Sequence, residues 1–207
     1  MSGFLQARRP PLILASGSRS RAKLLEAAGL AFIAEPPGLD EAVMRQAVSG
    51  EDSLSPHDVP EVLARAKAEA VSELAPQAYV IGGDQVLALG ETILSKPNSM
   101  EAARRQLLDL NGKAHTLHTA VAVATSGETI WAETTIATLQ MRKLSPEFIG
   151  RYLAAAGDEV LSSVGAYQIE GLGVQLFEKI DGDYFSILGL PLVPLLDTLR
   201  REGAIEG

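Results

Sequence analysis

Residues 12–21 read Leu-Ile-Leu-Ala-Ser-Gly-Ser-Arg-Ser-Arg, an apolar run that breaks at a small-residue turn and continues into a helical pattern. Leu12 to Ala15 is a buried-strand candidate, and Ser16-Gly17-Ser18 offers a turn with an N-cap. Ala22, Leu25 and Ala28 then recur at helical spacing, Leu24 widens the stripe, and Gly29 is placed to stop the helix. A strand feeding a helix through such a turn is the opening of an α/β fold. It also places free helix N–H groups and Arg21 where an anion could be held. The glycine spacing and the Gly-Lys-Ser/Thr ending of a Walker loop are absent.

Further along, Pro36, Pro37, Gly38, Gly50, Pro56 and Pro60 punctuate an acid-rich stretch that reads as a long surface loop over residues 35–60. Pro60 opens a helix through about Leu74, with Leu63, Ala66, Lys67, Ala70 and Leu74 on one stripe. A lysine inside an apolar stripe needs either a route to water or an anionic partner. The next strand, Tyr79-Val80-Ile81-Gly82-Gly83-Asp84-Gln85-Val86-Leu87, is apolar except at Asp84 and Gln85. An unpaired carboxylate buried there would cost several kcal/mol, so Asp84 should meet a cation or a hydrogen-bond network. Lys96-Pro97 adds a cation on a rigid segment.

The remainder predicts a helix from an Asn98/Glu101 capping box to about Leu110, a long hairpin over 114–124 and 129–140, and a helix from Ser145-Pro146. Val174 to Ile180 and Tyr184 to Leu188 read as strands paired across Asp181-Gly182-Asp183, and Pro191 opens a last helix closed by Gly203. Residues 1–10 read as an N-terminal arm on a single domain spanning 1–207. His115 and His118 flank a threonine on a strand, where a hydrogen-bonded structural ring is the expected role.

Composition narrows the chemistry. The 207 residues are 46% hydrophobic and 21% charged, typical of a folded globular chain. A formal charge of −8 argues against a nucleic-acid backbone as partner. With no cysteine, thiolate catalysis, disulfides and cysteine zinc sites are excluded. Three histidines without i, i+4 pairing point any metal toward hard oxygen ligands. No export signal and no membrane-length apolar run is legible, so a cytoplasmic protein is expected. Carboxylates at Glu41 and Asp84, with cations at Arg21, Lys67 and Lys96, form the kit for metal-assisted phosphoryl or nucleotidyl chemistry.

In chain order, Leu14-Ala15-Ser16-Gly17-Ser18, Asp40-Glu41, Ala66-Lys67-Ala68, Gly83-Asp84-Gln85-Val86, Lys96-Pro97, Gly112 with His115 and Thr119, Gly165-Ala166-Tyr167 and Gly189-Leu190-Pro191-Leu192 resemble the motifs of the Maf family of nucleoside triphosphate pyrophosphatases. The resemblance runs from Leu12 to about Gly203. It implies an inosine-triphosphate-pyrophosphatase-like fold, a long mixed sheet with flanking helices and a cleft between two lobes, in a homodimer. It also implies hydrolysis between the α and β phosphates with a divalent metal, Mg²⁺ or alternatively Mn²⁺.

Carried over by position, Asp84 is the catalytic carboxylate and metal ligand and Glu41 its partner in both roles. Arg21, Lys67 and Lys96 are the triphosphate ligands, with Ser16 as helper. Many members carry Ser-Pro-Arg-Arg where this chain has Ser18-Arg19-Ser20-Arg21, Asp-Thr where it has Asp84-Gln85, and Ile-Gln-Gly where it has Ile169-Glu170-Gly171. Ser20, Gln85 and Glu170 are thus the positions tied to base choice, and Gln85 and Glu170 are similar to the branch acting on 7-methyl-GTP. The alternatives are dTTP, UTP or CTP as substrate, or a non-catalytic nucleotide-binding regulator of cell division.

Overall fold

The computed structural model describes residue 6 and residues 10–39, 43–44 and 54–206. Most of the N-terminal arm, Asp40-Glu41 and much of the 35–60 loop lie outside the described residues. The elements, in chain order, are β1 (Leu12–Ala15), α1 (Arg19–Ala27), β2 (Ile33–Ala34), α2 (Asp58–Leu74), β3 (Tyr79–Leu89), β4 (Thr92–Leu94), α3 (Met100–Leu110), β5 (Ala114–Thr125), β6 (Glu128–Met141), α4 (Pro146–Ala156), β7 (Phe177–Asp181), α5 (Tyr184–Ile187) and α6 (Leu192–Arg201). One mixed sheet runs in the order β2-β1-β3-β5-β6-β7, with β4 paired to β3. β1 is parallel to both β2 and β3, whereas β3–β4 and β6–β7 are antiparallel. This is the expected α/β fold with a mixed sheet and flanking helices.

The chain divides into two compact units, and β3, β5 and β6 pass through both. The first comprises residues 1–85, 119–135 and 183–207. Its strands are apolar on both faces, as a sheet covered on both sides requires. Alternation along the strands sorts the side chains. Leu12, Leu14, Ile81, Val121 and Val123 pack with Leu24 and Leu25 of α1 and Leu195 and Leu199 of α6. Ile13, Ala15, Val80, Ala120, Ala122 and Ala124 pack with Ala64, Ala68 and Val71 of α2.

The second unit comprises residues 86–118 and 136–182. Its helices α3 and α4 start on hydroxyl caps: Ser99 accepts from the Ala102 N–H and Ser145 from the Phe148 N–H. The α3 cap is therefore Ser99, one residue after the Asn98 of the expected capping box.

Two further expectations are corrected. Residues 184–188 are not a strand: Asp183 caps Ser186 and winds Tyr184–Ile187 into the short α5. An Asx cap competes with strand pairing for the same backbone N–H, and here the cap wins. The first arm of the expected hairpin is a strand only from Phe177, after a 3₁₀ turn over Leu172–Leu176, and Phe177–Asp181 pairs with β6 instead. The α2 stripe is also rotated from the expected one: Leu63, Ala64, Lys67, Ala68 and Val71 are buried, whereas Ala66 and Ala70 are half-buried and Leu74 is exposed.

Within the second unit His115 is buried, and its Nε2 lies 2.8 Å from the Tyr167 hydroxyl. Nδ1 meets no partner among the described residues. Burial lowers the imidazole pKa from 6.5 to about 4. The unfolded chain therefore binds this proton first as pH falls, so the stability present above pH 6.5 is lost on acidification toward pH 4. Between pH 7 and pH 5 the loss from this one group should be about 2 kcal/mol. Urea unfolding of His115→Gln beside the parent checks it. The variant's fall over that interval should be smaller by that amount, and equal slopes would refute the assignment.

Candidate active site

β1 and β3 run parallel with Ala15 opposite Gly82, so the Ser16-Gly17-Ser18 turn leaves the sheet beside Gly83 and Asp84. Ligands of parallel α/β sheets gather at this carboxyl end of the strands. Ser18 caps α1 as expected, its hydroxyl accepting from the Arg21 N–H.

The two glycines before Asp84 have different tasks. A side chain at Gly82 would strike the Ala64 carbonyl oxygen and lie 2.9 Å from Ala68 Cβ and N, so only glycine lets α2 approach β3 so closely. A side chain at Gly83 would point to the other face and meet Arg21, 3.0 Å from its Nε. Alternation continues through the next pair: Asp84 turns toward α2, and Gln85 toward the side where Arg21 lies.

On the α2 side, Lys67 Nζ donates to Asp84 Oδ1 at 2.9 Å, and each side chain is only 3% exposed. The lysine inside the apolar stripe and the carboxylate inside the apolar strand are each other's partner. Removing two charges from water costs several kcal/mol per ion, which a single pair seldom recovers. An ion pair kept beside the carboxyl end of β1, where it runs parallel to β3, therefore points to use by a ligand.

On the opposite face, Arg21 is also buried, with Nε donating to the Gly189 carbonyl at 2.7 Å and Nη1 to Ser16 Oγ at 3.1 Å. Ser16 is thus tied to Arg21, and Ser20 Oγ lies 3.0 Å from Ser18 Oγ. The Gln85 amide nitrogen donates toward Thr119 Oγ1 at 2.8 Å and the carbonyls of Ser186 and Ile187 at 3.0 and 3.1 Å. Three acceptors around one NH₂ fix its orientation and leave the amide oxygen as the group that can address a ligand.

Of the expected site residues, the structure brings together Lys67 with Asp84, and Ser16 with Arg21. Lys96 is exposed after β4, ahead of the buried Pro97, and Glu170 is exposed in a turn of the second unit. Glu41 lies outside the described residues. Asp183 and Ser186 are not among the expected site residues, and Gly189 is expected only as part of a family motif. Their sequence read as a hairpin, and the only local clue was the Asp183-x-x-Ser186 spacing of a cap.

No three His, Cys, Asp or Glu side chains come together to hold a metal among the described residues. Mg²⁺ characteristically takes one or two carboxylates and fills its shell with water and substrate phosphate, a donor set that Asp84 suits.

Comparison with known proteins now decides the family. The profile described as "Maf-like protein" matches residues 11–202. The chain belongs to the Maf-like family. It is 54% identical over 196 residues to a Brucella abortus protein named 7-methyl-GTP pyrophosphatase, covering 95% of this chain and 98% of the relative. A Mesorhizobium japonicum protein of the same name is 52% identical over the same shares. A Bradyrhizobium diazoefficiens protein named nucleoside triphosphate pyrophosphatase is 50% identical, covering 95% and 96%. The family profile spans both compact units, and the Lys67–Asp84 pair lies within it.

Proposed function

We propose that this Maf-like chain is a nucleoside triphosphate pyrophosphatase that hydrolyses 7-methyl-GTP to the monophosphate and pyrophosphate. The observation that carries the reading is the buried Lys67–Asp84 pair, midway along β3 and just beyond the carboxyl end of β1. In this reading Asp84 accepts the proton of a water that attacks the α-phosphorus. The bond from that phosphorus to the oxygen bridging the β-phosphate breaks, and pyrophosphate leaves with the electron pair. Lys67 orients the Asp84 carboxylate, and Lys67 and Arg21 offset the triphosphate charge. Ser16 holds the Arg21 guanidinium, and Lys96 is a further triphosphate cation. A bound Mg²⁺ would be held by Asp84 and Glu41 and would supply Lewis-acid neutralisation of the phosphate oxygens. A homodimer working in the cytoplasm completes the proposal. Among the described residues no helix is long and apolar enough to cross a membrane.

The base assignment rests on acceptors. Gln85 has its NH₂ engaged, which leaves it an acceptor, and Glu170 is a carboxylate. Acceptors suit the N1–H and N2–H donors of a guanine edge. Pyrophosphate release should be measured with Mg²⁺ on 7-methyl-GTP, GTP, dTTP, UTP and CTP. Selective release from 7-methyl-GTP is expected. Release from pyrimidine triphosphates instead would overturn the base assignment, and none from any would favour a binding protein. Glu170→Gln should shift preference toward pyrimidine triphosphates by about tenfold, the value of one charged hydrogen bond. An unchanged substrate profile would remove Glu170 from base recognition.

A further inference from the structure

The chain from Asp183 to Gly189 forms a platform of carbonyl groups aimed at two of the site's side chains. Asp183 Oδ2 accepts from both the N–H and the hydroxyl of Ser186, each at 2.7 Å. These bonds close the only turn of α5 and fix the peptide planes after it. The next two carbonyls, of Ser186 and Ile187, accept from the Gln85 amide, and Thr119 Oγ1 donates to the Ser186 carbonyl at 3.0 Å. Gly189, at φ +110, occupies backbone space that favours glycine and directs its carbonyl to Arg21 Nε. One exposed acid therefore controls the planes that hold Gln85, and lies at the start of the turn that holds Arg21.

We infer that Asp183 is a positioning residue: through Ser186 it keeps the Gln85 amide oxygen facing the ligand and Arg21 at its post, and so sets base selectivity. The hydrogen bonds stand by themselves, whereas the consequence for selectivity rests on the nucleotide reading above. With the carbonyls displaced, the amide can rotate and offer N–H donors. Bases with a ring-nitrogen acceptor at the pairing edge, such as cytosine, then compete better against those with an imino N–H, such as guanine.

The test compares Asp183→Ala with Asp183→Asn, which keeps a capping oxygen. In ¹⁵N-labelled protein, exchange of the Gln85 side-chain amide protons should accelerate about tenfold or more in Asp183→Ala and stay near the parent rate in Asp183→Asn. In turnover assays Asp183→Ala should raise KM for 7-methyl-GTP about tenfold with kcat little changed, and narrow the preference for 7-methyl-GTP over CTP about fivefold. Asp183→Asn should restore both. A merely structural cap would lower stability without moving the preference.

Parent-like amide exchange and preference in Asp183→Ala would overturn the inference, as would equal losses in the two variants. If the parent releases pyrophosphate from no nucleotide, the nucleotide reading fails and amide exchange alone decides the positioning role. Should Asp183→Ala not fold, Ser186→Ala keeps the backbone cap, removes only the hydroxyl bond, and should show the same changes at smaller amplitude.

Discussion

Asp84→Asn should abolish pyrophosphate release, lowering kcat by about a thousandfold, the middle of the range for loss of a positioned general base. The same substitution should also weaken the fold. Lys67 Nζ lies 2.9 Å from the carboxylate with both side chains almost wholly buried, so an amide at 84 takes the charge from the acceptor of a buried ammonium. Removing one partner of a buried pair typically costs about 3 kcal/mol. A domain with about 5–15 kcal/mol of stability survives this, so inactivity can be read on folded protein. The control is Lys67→Met combined with Asp84→Asn. Taking out the lysine charge as well should recover much of the lost stability in urea unfolding, because buried pairs are replaceable by apolar groups. Activity should stay absent. Turnover retained by Asp84→Asn would remove Asp84 from catalysis, and strictly additive stability losses would show that the pair is not coupled.

The features legible in the sequence were those in which one residue type contradicts its surroundings. Asp84 in an apolar strand and Lys67 in an apolar stripe each stand out against their neighbours, and the lysine donates to the carboxylate. Ser18 was legible as a cap because a small polar residue followed the strand and preceded the helical spacing. What stayed hidden was whatever depended on distant backbone. Nothing in residues 183–189 announces that three of their carbonyls meet Gln85 and Arg21, since an acceptor on the main chain has no letter in the sequence. Gly182, after β7, reads as hairpin punctuation for the same reason: Asp-Gly-Asp serves both a strand reversal and a cap, and only the Ser186 contact chooses between them. The Lys67 stripe is legible but its flank is not, because alanine recurs at every second position from Ala64 to Ala70, so that helical periodicity fits two neighbouring faces.

Adjacent glycines supply the sharpest separation of fold from site. Gly82→Ala should destabilise the protein by about 2 kcal/mol, because its Cβ would collide with the Ala64 carbonyl oxygen and press on Ala68, backbone atoms that cannot swing aside. Relief requires α2 to withdraw from β3, which loosens Ala64, Ala68 and Val71 together and carries Lys67 away from Asp84. The melting temperature should drop by about 6 °C, with a parallel fall in kcat. Gly83→Ala should behave differently. Its Cβ would press on the Arg21 side chain, at 3.0 Å from Nε and 3.2 Å from Cδ, which can yield, and would touch the Ala120 carbonyl oxygen at an ordinary 3.5 Å. Its φ carries no left-handed demand, so the backbone accepts alanine. The guanidinium is pushed from the Gly189 carbonyl and Ser16, so KM for the nucleotide should rise about tenfold while the melting temperature moves by no more than about 3 °C. Thermal unfolding and steady-state kinetics of the two variants side by side test the assignment of the two faces. If both variants lose stability alike and leave KM unchanged, Arg21 is not poised for phosphate, and Gly83 is there only for packing.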